Sequence, residues 1–153
     1  MASATDTIVL EKHKSCCAEK QKQIVSRDKG HPYKHIGINE SGGRVRHYQI
    51  DGGVLPKGKE PDRCDFLLLA DDTTPPKAFF IELKGQLSDA GKCIKQVTKT
   101  EKMCEASLRG YRKLYRFVFG NGHGNYSSEF IKWRDNEAKG RVIAKRGEIK
   151  DRF

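Results

Sequence analysis

The chain has 153 residues, 36% apolar and 33% charged, with 30 Lys and Arg against 20 Asp and Glu for a formal net charge of +10. That length suits a single domain, residues 1–153, with enough chain to bury a core. No apolar run approaches the roughly 18 residues of a membrane-spanning helix, and the N-terminal MASATDTIVLEKHK lacks the basic start, apolar stretch and cleavage site of a signal peptide. The expectation is a cytoplasmic protein with no membrane partner, whose positive surplus attracts a polyanion, nucleic acid first.

Residues 5 to 27 contain no Gly or Pro and repeat apolar or small residues at Ile8, Val9, Cys16, Cys17, Ile24 and Val25, which predicts one or two helices. Gly30 to Gly43 reads as loop. Val45 to Ile50 alternates apolar and polar residues and predicts a strand closed by Asp51-Gly52-Gly53. After the loop LPKGKEPD come two continuous apolar runs, Phe66–Ala70 and Ala78–Ile81, which predict strands covered on both faces. Ser88 and Asp89 are good helix starters. In the helix that follows, Cys93, Ile94, Val97, Cys104 and Leu108 share one side, with Lys95, Lys99 and Lys102 on the other. Leu114–Phe119 predicts a further strand, ended by a Gly-rich turn, and RVIAKR near Val142 predicts the last. The predicted order is helix, three strands, helix, strand, strand, an α/β fold of the α+β type.

The five cysteines are odd in number and form no CxxC pair; they read as reduced, partly buried thiols. His31, His35 and His47 are too irregularly spaced for a zinc site, and His123, in the Gly-rich turn, reads as part of a long loop.

The two apolar runs carry the chemistry. If the chain reverses around Thr73 and Thr74, Phe66 faces Ile81 and Asp65 faces Glu82. Directly opposed side chains lie about 5 Å apart at Cβ, so two facing carboxylates repel unless something compensates. A divalent cation does so: Mg²⁺ takes one or two carboxylates and keeps several waters. Lys84, two residues beyond Glu82, falls on the same strand face. A register slip of one residue would turn these groups away from each other.

An acid before one apolar strand, a short turn and a second strand ending in Glu82-Leu83-Lys84 resembles the PD-(D/E)xK nuclease superfamily. Within it there is some likeness to Holliday-junction resolvases and restriction-type nucleases. The resemblance spans roughly Val45 to Phe119 and is sharp only at Asp65 and Glu82-Leu83-Lys84. It implies a restriction-endonuclease-like core, in which a helix, a three-stranded antiparallel meander, a helix and a strand build a mixed central sheet flanked by helices. It implies that Asp65, Glu82 and the carbonyl of Leu83 hold Mg²⁺, with Mn²⁺ able to substitute. Asp65, Glu82 and Lys84 would be catalytic, Lys84 orienting or helping to deprotonate the attacking water. The implied activity is endonucleolytic phosphodiester hydrolysis, on DNA in preference to RNA, in a homodimer.

The chain departs from the family pattern at several points. Asp65 follows Arg63-Cys64 and not proline; the single Pro-Asp is Pro61-Asp62, and Asp62 lies well before the apolar strand begins. A further acid is open between Glu19, Glu40 and Asp51. Gln96 resembles a glutamine that some members place beside the site, but also fits an ordinary helix surface. Lys92, Arg112 and Lys113 are the candidate nucleic-acid contacts, the last two because Tyr111 and Tyr115 flank them. The alternative is a non-catalytic nucleic-acid-binding or protein-interaction module that keeps the fold.

Overall fold

Eight of the 11 residues in Phe66–Ala70 and Ala78–Leu83 carry bulky apolar side chains, and these two runs form the centre of the sheet. The computed structural model describes residues 7–58, 60–120 and 124–153. Its strands are β1 (Gln23–Ser26), β2 (Lys34–Ile38), β3 (Val45–Gln49), β4 (Phe66–Ala70), β5 (Lys77–Lys84), β6 (Arg112–Phe119), β7 (Val142–Arg146) and β8 (Glu148–Arg152), with helices α1 (Ala90–Met103) and α2 (Ser128–Asp135). A five-stranded sheet has the order β3-β4-β5-β6-β7 and a three-stranded sheet the order β1-β2-β8. Among the described residues no helix is long and apolar enough to cross a membrane.

β3, β4 and β5 form an antiparallel meander; β6 joins β5 in parallel, and β7 joins β6 in parallel. A parallel neighbour needs a crossover, which α1 supplies between β5 and β6. The central strands are buried on both faces, as a sheet covered by two layers requires. One face packs Leu67, Leu69, Ala78, Phe80 and Phe117 under Cys93 and Val97 of α1 and Phe130 and Trp133 of α2. The other packs Phe66, Leu68, Phe79, Ile81, Leu83 and Val118 against Ile24, Tyr33 and Ile149 of the small-sheet layer. The molecule is therefore mixed α and β, with helices on one side of the large sheet and the small sheet on the other.

Four expectations change. No α-helix forms between residues 7 and 27; a 3-10 turn at Leu10–Lys12 is followed by β1, and residues 5 and 6 lie outside the described residues. The segment bonds outward instead of to itself: Ile8 N donates to Met103 O at 2.8 Å, and Cys16 N to His47 O at 2.7 Å. In β1 Ile24 and Ser26 are buried while Gln23 and Val25 are exposed, a period of two.

The loop predicted over Gly30–Gly43 contains β2. A Cβ on Gly37 would fall 2.5 Å from Leu68 Cδ2, so glycine here lets the small sheet lie close on β4 and does not mark a turn. The helix after Asp89 ends at Met103, and buried Leu108 belongs to a separate 3-10 turn. Asp89 occupies the α1 N-cap position but makes no side-chain capping bond. Finally, α2 and β8 were not predicted. α2 starts at a cap, Ser127 Oγ accepting from Phe130 N at 3.2 Å.

Candidate functional site

Strand alternation decides where the charged residues point. In β4, Leu67 and Leu69 face the helices, so Asp65, two residues before Leu67, falls on that side too. In β5, Ala78 and Phe80 face the helices, and Glu82 and Lys84 continue the series. Phe66 pairs with Ile81, so Asp65 and Glu82 are opposed. The hairpin is closed at this end by Asp65 N donating to Ile81 O at 3.1 Å and by Leu83 N donating to Asp65 Oδ2 at 2.8 Å.

Glu82 is 1% exposed, and its Oε2 is buried without a hydrogen-bond partner. Burial raises its pKa well above the ordinary carboxylate range, and the nearby Asp65 carboxyl raises it further; Lys84 and the Leu83 amide pull the other way. Burial likewise keeps the flanking Cys64 and Cys93 thiols protonated, with the charge of Glu82 adding to the effect.

Asp65, Glu82, Leu83 and Lys84 line a cleft of about 790 Å³ together with Asp51, Arg63, Lys92, Lys95 and Gln96. Gln96 Oε1 is also buried without a partner. Gln96 is thus not an ordinary surface glutamine: α1 turns its amide oxygen inward on the strand side. Arg63, 6% exposed, donates to the carbonyls of Pro56, Glu60 and Pro61 and lies 3.8 Å from Asp51 Oδ1. It shapes the loop that forms the opposite wall. Asp51 is brought close because Ile50 N donates to Asp65 O at 2.8 Å.

Of the residues singled out in the sequence, Asp65, Glu82, Leu83, Lys84 and Lys92 come together here. Of the three further acids only Asp51 lines the cleft. Glu19 lies 4.0 Å from Arg44, and Glu40 pairs with Arg152 at 2.8 Å, both away from it. Asp62 reaches the rim of the cleft. Arg112 and Lys113 are not at the site. Arg112 pairs with Lys77, whereas Lys84 pairs with Phe119; the length of β5 between them is roughly 23 Å at the strand rise. Lys113 Nζ donates to Leu108 O at 2.9 Å. The flanking tyrosines are not free rings either: Tyr115 is 2% exposed and bonds Glu101, and Tyr111 bonds Asp71. His123 lies outside the described residues.

Arg63 carried no sequence signal, since its partners are backbone carbonyls of a loop whose path the sequence does not reveal. Gln96 had one: it stands one residue before Val97 on a face otherwise continuous with the core.

The donors fit a hard divalent cation. Two carboxylates, the Leu83 carbonyl and the inward Gln96 amide all offer oxygen donors, and the unpartnered Glu82 Oε2 is a buried acceptor with nothing to accept from. Among the described residues no group of three or more His, Cys, Asp or Glu side chains is gathered to hold an ion. A cation here would rest on the two carboxylates, neutral oxygens and water. Compared with protein-family models, with curated proteins and with solved structures, the chain matches none.

Proposed function

We propose that the chain is a metal-dependent nuclease of the PD-(D/E)xK type, hydrolysing phosphodiester bonds in the cleft at the open end of the β4–β5 hairpin. The observation that carries this reading is the convergence of Asp65, Glu82 and Lys84 on one face, with Glu82 buried and its Oε2 unpartnered. The chain order β3-β4-β5-α1-β6, with β6 parallel to β5, supports the likeness to a restriction-endonuclease-like core. The leading helix of that core has no counterpart among the described residues.

Asp65 and Glu82, with the Leu83 carbonyl, would hold Mg²⁺ or Mn²⁺. A bound divalent ion supplies charge stabilisation to the phosphoryl oxygens and lowers the pKa of a water. Lys84 Nζ adds fixed positive charge where the phosphoryl group becomes more anionic and orients the attacking water. Gln96 Oε1 is placed to accept a hydrogen from that water. The low-dielectric setting of Glu82 strengthens each of these interactions. DNA is the expected substrate in preference to RNA, and cutting both strands of a duplex calls for two copies of the chain.

The test is incubation with plasmid, single-stranded DNA, branched DNA and RNA, each with Mg²⁺, Mn²⁺ or chelator. Cleavage is expected with the metals, none with chelator, and none in Asp65→Ala or Glu82→Ala. Cleavage that survives both substitutions overturns the reading. Binding without cutting under every metal condition favours the non-catalytic module.

A further inference from the structure

Asp65 is held from both neighbouring strands, and the residue before it is fastened by a helix residue that does not line the cleft. Its own N–H, its carbonyl and one carboxylate oxygen are bonded to Ile81, Ile50 and Leu83. The residue before it, Cys64, donates its N–H at 2.8 Å to Thr100 Oγ1, in the last part of α1. Both Cys64 and Thr100 are 0% exposed. The Thr100 hydroxyl in turn donates to Gln96 O at 2.8 Å, one helical turn back on the same face.

We propose that Thr100 is a positioning residue for Asp65, setting the separation between α1 and the entry to β4, and with it the distance from Gln96 to the carboxylates. This rests on the reading of Asp65 and Glu82 as a cation site. Three points carry it. The Cys64 N–H lies where β4 has not yet begun, so the sheet ladder does not fix it. A buried N–H must find an acceptor, which makes the contact obligatory and not incidental. And Thr100 stands four residues after Gln96, so one hydroxyl couples the helix that presents the amide oxygen to the strand that presents the acid. Groups that orient first ligands in this way, once removed, weaken metal affinity by about 10- to 100-fold.

The experiment compares Thr100→Val, which keeps the shape and removes the acceptor, with Thr100→Ser, which restores it. Two readouts are taken on the full chain: the Mn²⁺ concentration for half-maximal cleavage of plasmid, and the Mn²⁺ concentration for half of the metal-induced rise in unfolding temperature. Thr100→Val is expected to shift both midpoints upward by about tenfold, while Thr100→Ser stays within about twofold of the unsubstituted protein. A purely structural residue would lower the starting unfolding temperature and leave the metal midpoints in place; that result overturns the proposal. If Thr100→Val does not fold, Thr100→Cys, with a weaker acceptor, takes its place. A midpoint between those of Thr100→Ser and ten times that value supports the proposal, and an unshifted one overturns it. An unsubstituted protein that responds to Mn²⁺ in neither readout overturns the cation-site reading itself, and this inference with it, whereas a normal response there with unshifted variants overturns this inference alone.

Discussion

Leu83 donates its amide to Asp65 Oδ2 at 2.8 Å across the hairpin. This one bond commits one oxygen of Asp65 to the backbone and leaves the other for the cleft. It also holds the carboxyl beside Glu82, whose own Oε2 has no partner. The arrangement is costly for the protein alone, since a buried acid without a compensating donor or cation destabilises the fold.

The titration of Glu82 gives the first prediction. Its folded pKa lies well above the ordinary 4.5, through burial and then Asp65. A group raised in this way contributes stability that is fully present below the unfolded pKa and lost as pH rises through the folded one. In chelator, therefore, the unfolding temperature should fall as pH is raised above about 4.5, and Glu82→Gln should be more stable than the unsubstituted chain at pH 8. Addition of Mg²⁺ should stabilise the unsubstituted chain and not Glu82→Gln. Calorimetry across pH, with and without metal, checks both.

The placement of the basic residues gives the second. Lys92 and Lys95 line the cleft, while Arg112 lies at the far end of β5 and β6. Replacing Lys92 and Lys95 together by alanine should weaken duplex binding and reduce the salt slope by about 2, at roughly one per phosphate contact. Replacing Arg112 and Lys113 should change both less. Fluorescence anisotropy over a salt series, with chelator present, separates the two pairs.

On the face of β3 turned toward the small sheet, His47 is 6% exposed, bonds Ser26 Oγ at 2.8 Å and stacks on Phe66. Burial lowers its pKa from 6.5 to about 4, with His35 adding to the shift. The fold therefore prefers the neutral ring. Its contribution is present above pH 6.5 and is lost as pH falls toward 4, on the order of 3 kcal/mol in all. Denaturant midpoints between those two pH values should fall for the unsubstituted chain and fall less for His47→Gln.

Gly37 offers a packing test. A methyl group there would meet Leu68 Cδ2 at 2.5 Å and Phe153 Cε1 at 3.3 Å. Leu68 is fully buried, so the core has little room to yield. Gly37→Ala should cost about 1–3 kcal/mol by overpacking, and Leu68→Val in the same chain should recover part of it. Urea unfolding of the single and double variants measures the coupling.

The hairpin and its register are legible along the chain alone. Phe66 opposite Ile81 follows from two apolar runs placed symmetrically about Thr73 and Thr74, and alternation then puts Asp65, Glu82 and Lys84 on one face. α1 was legible for the same reason: its period is local and long enough to repeat. What the sequence left open were elements whose identity depends on a partner. β1 and β8 are short strands that exist because β2 lies between them, and β2 is masked by a glycine that is there for Leu68.

Which distant groups share the cleft depends on how the folded elements pack. Asp51 enters through a bond from Ile50 to Asp65, while Glu19 and Glu40 are drawn off by Arg44 and Arg152. Arg112 and Lys113 sit at the wrong end because β6 runs parallel to β5, a direction set by the crossover of α1 and by no feature of their own residues. Periodicity is a property of neighbours along the chain and can be read there; a site assembled from separate strands, a helix and a loop depends on how those pieces pack, which no single stretch of sequence contains.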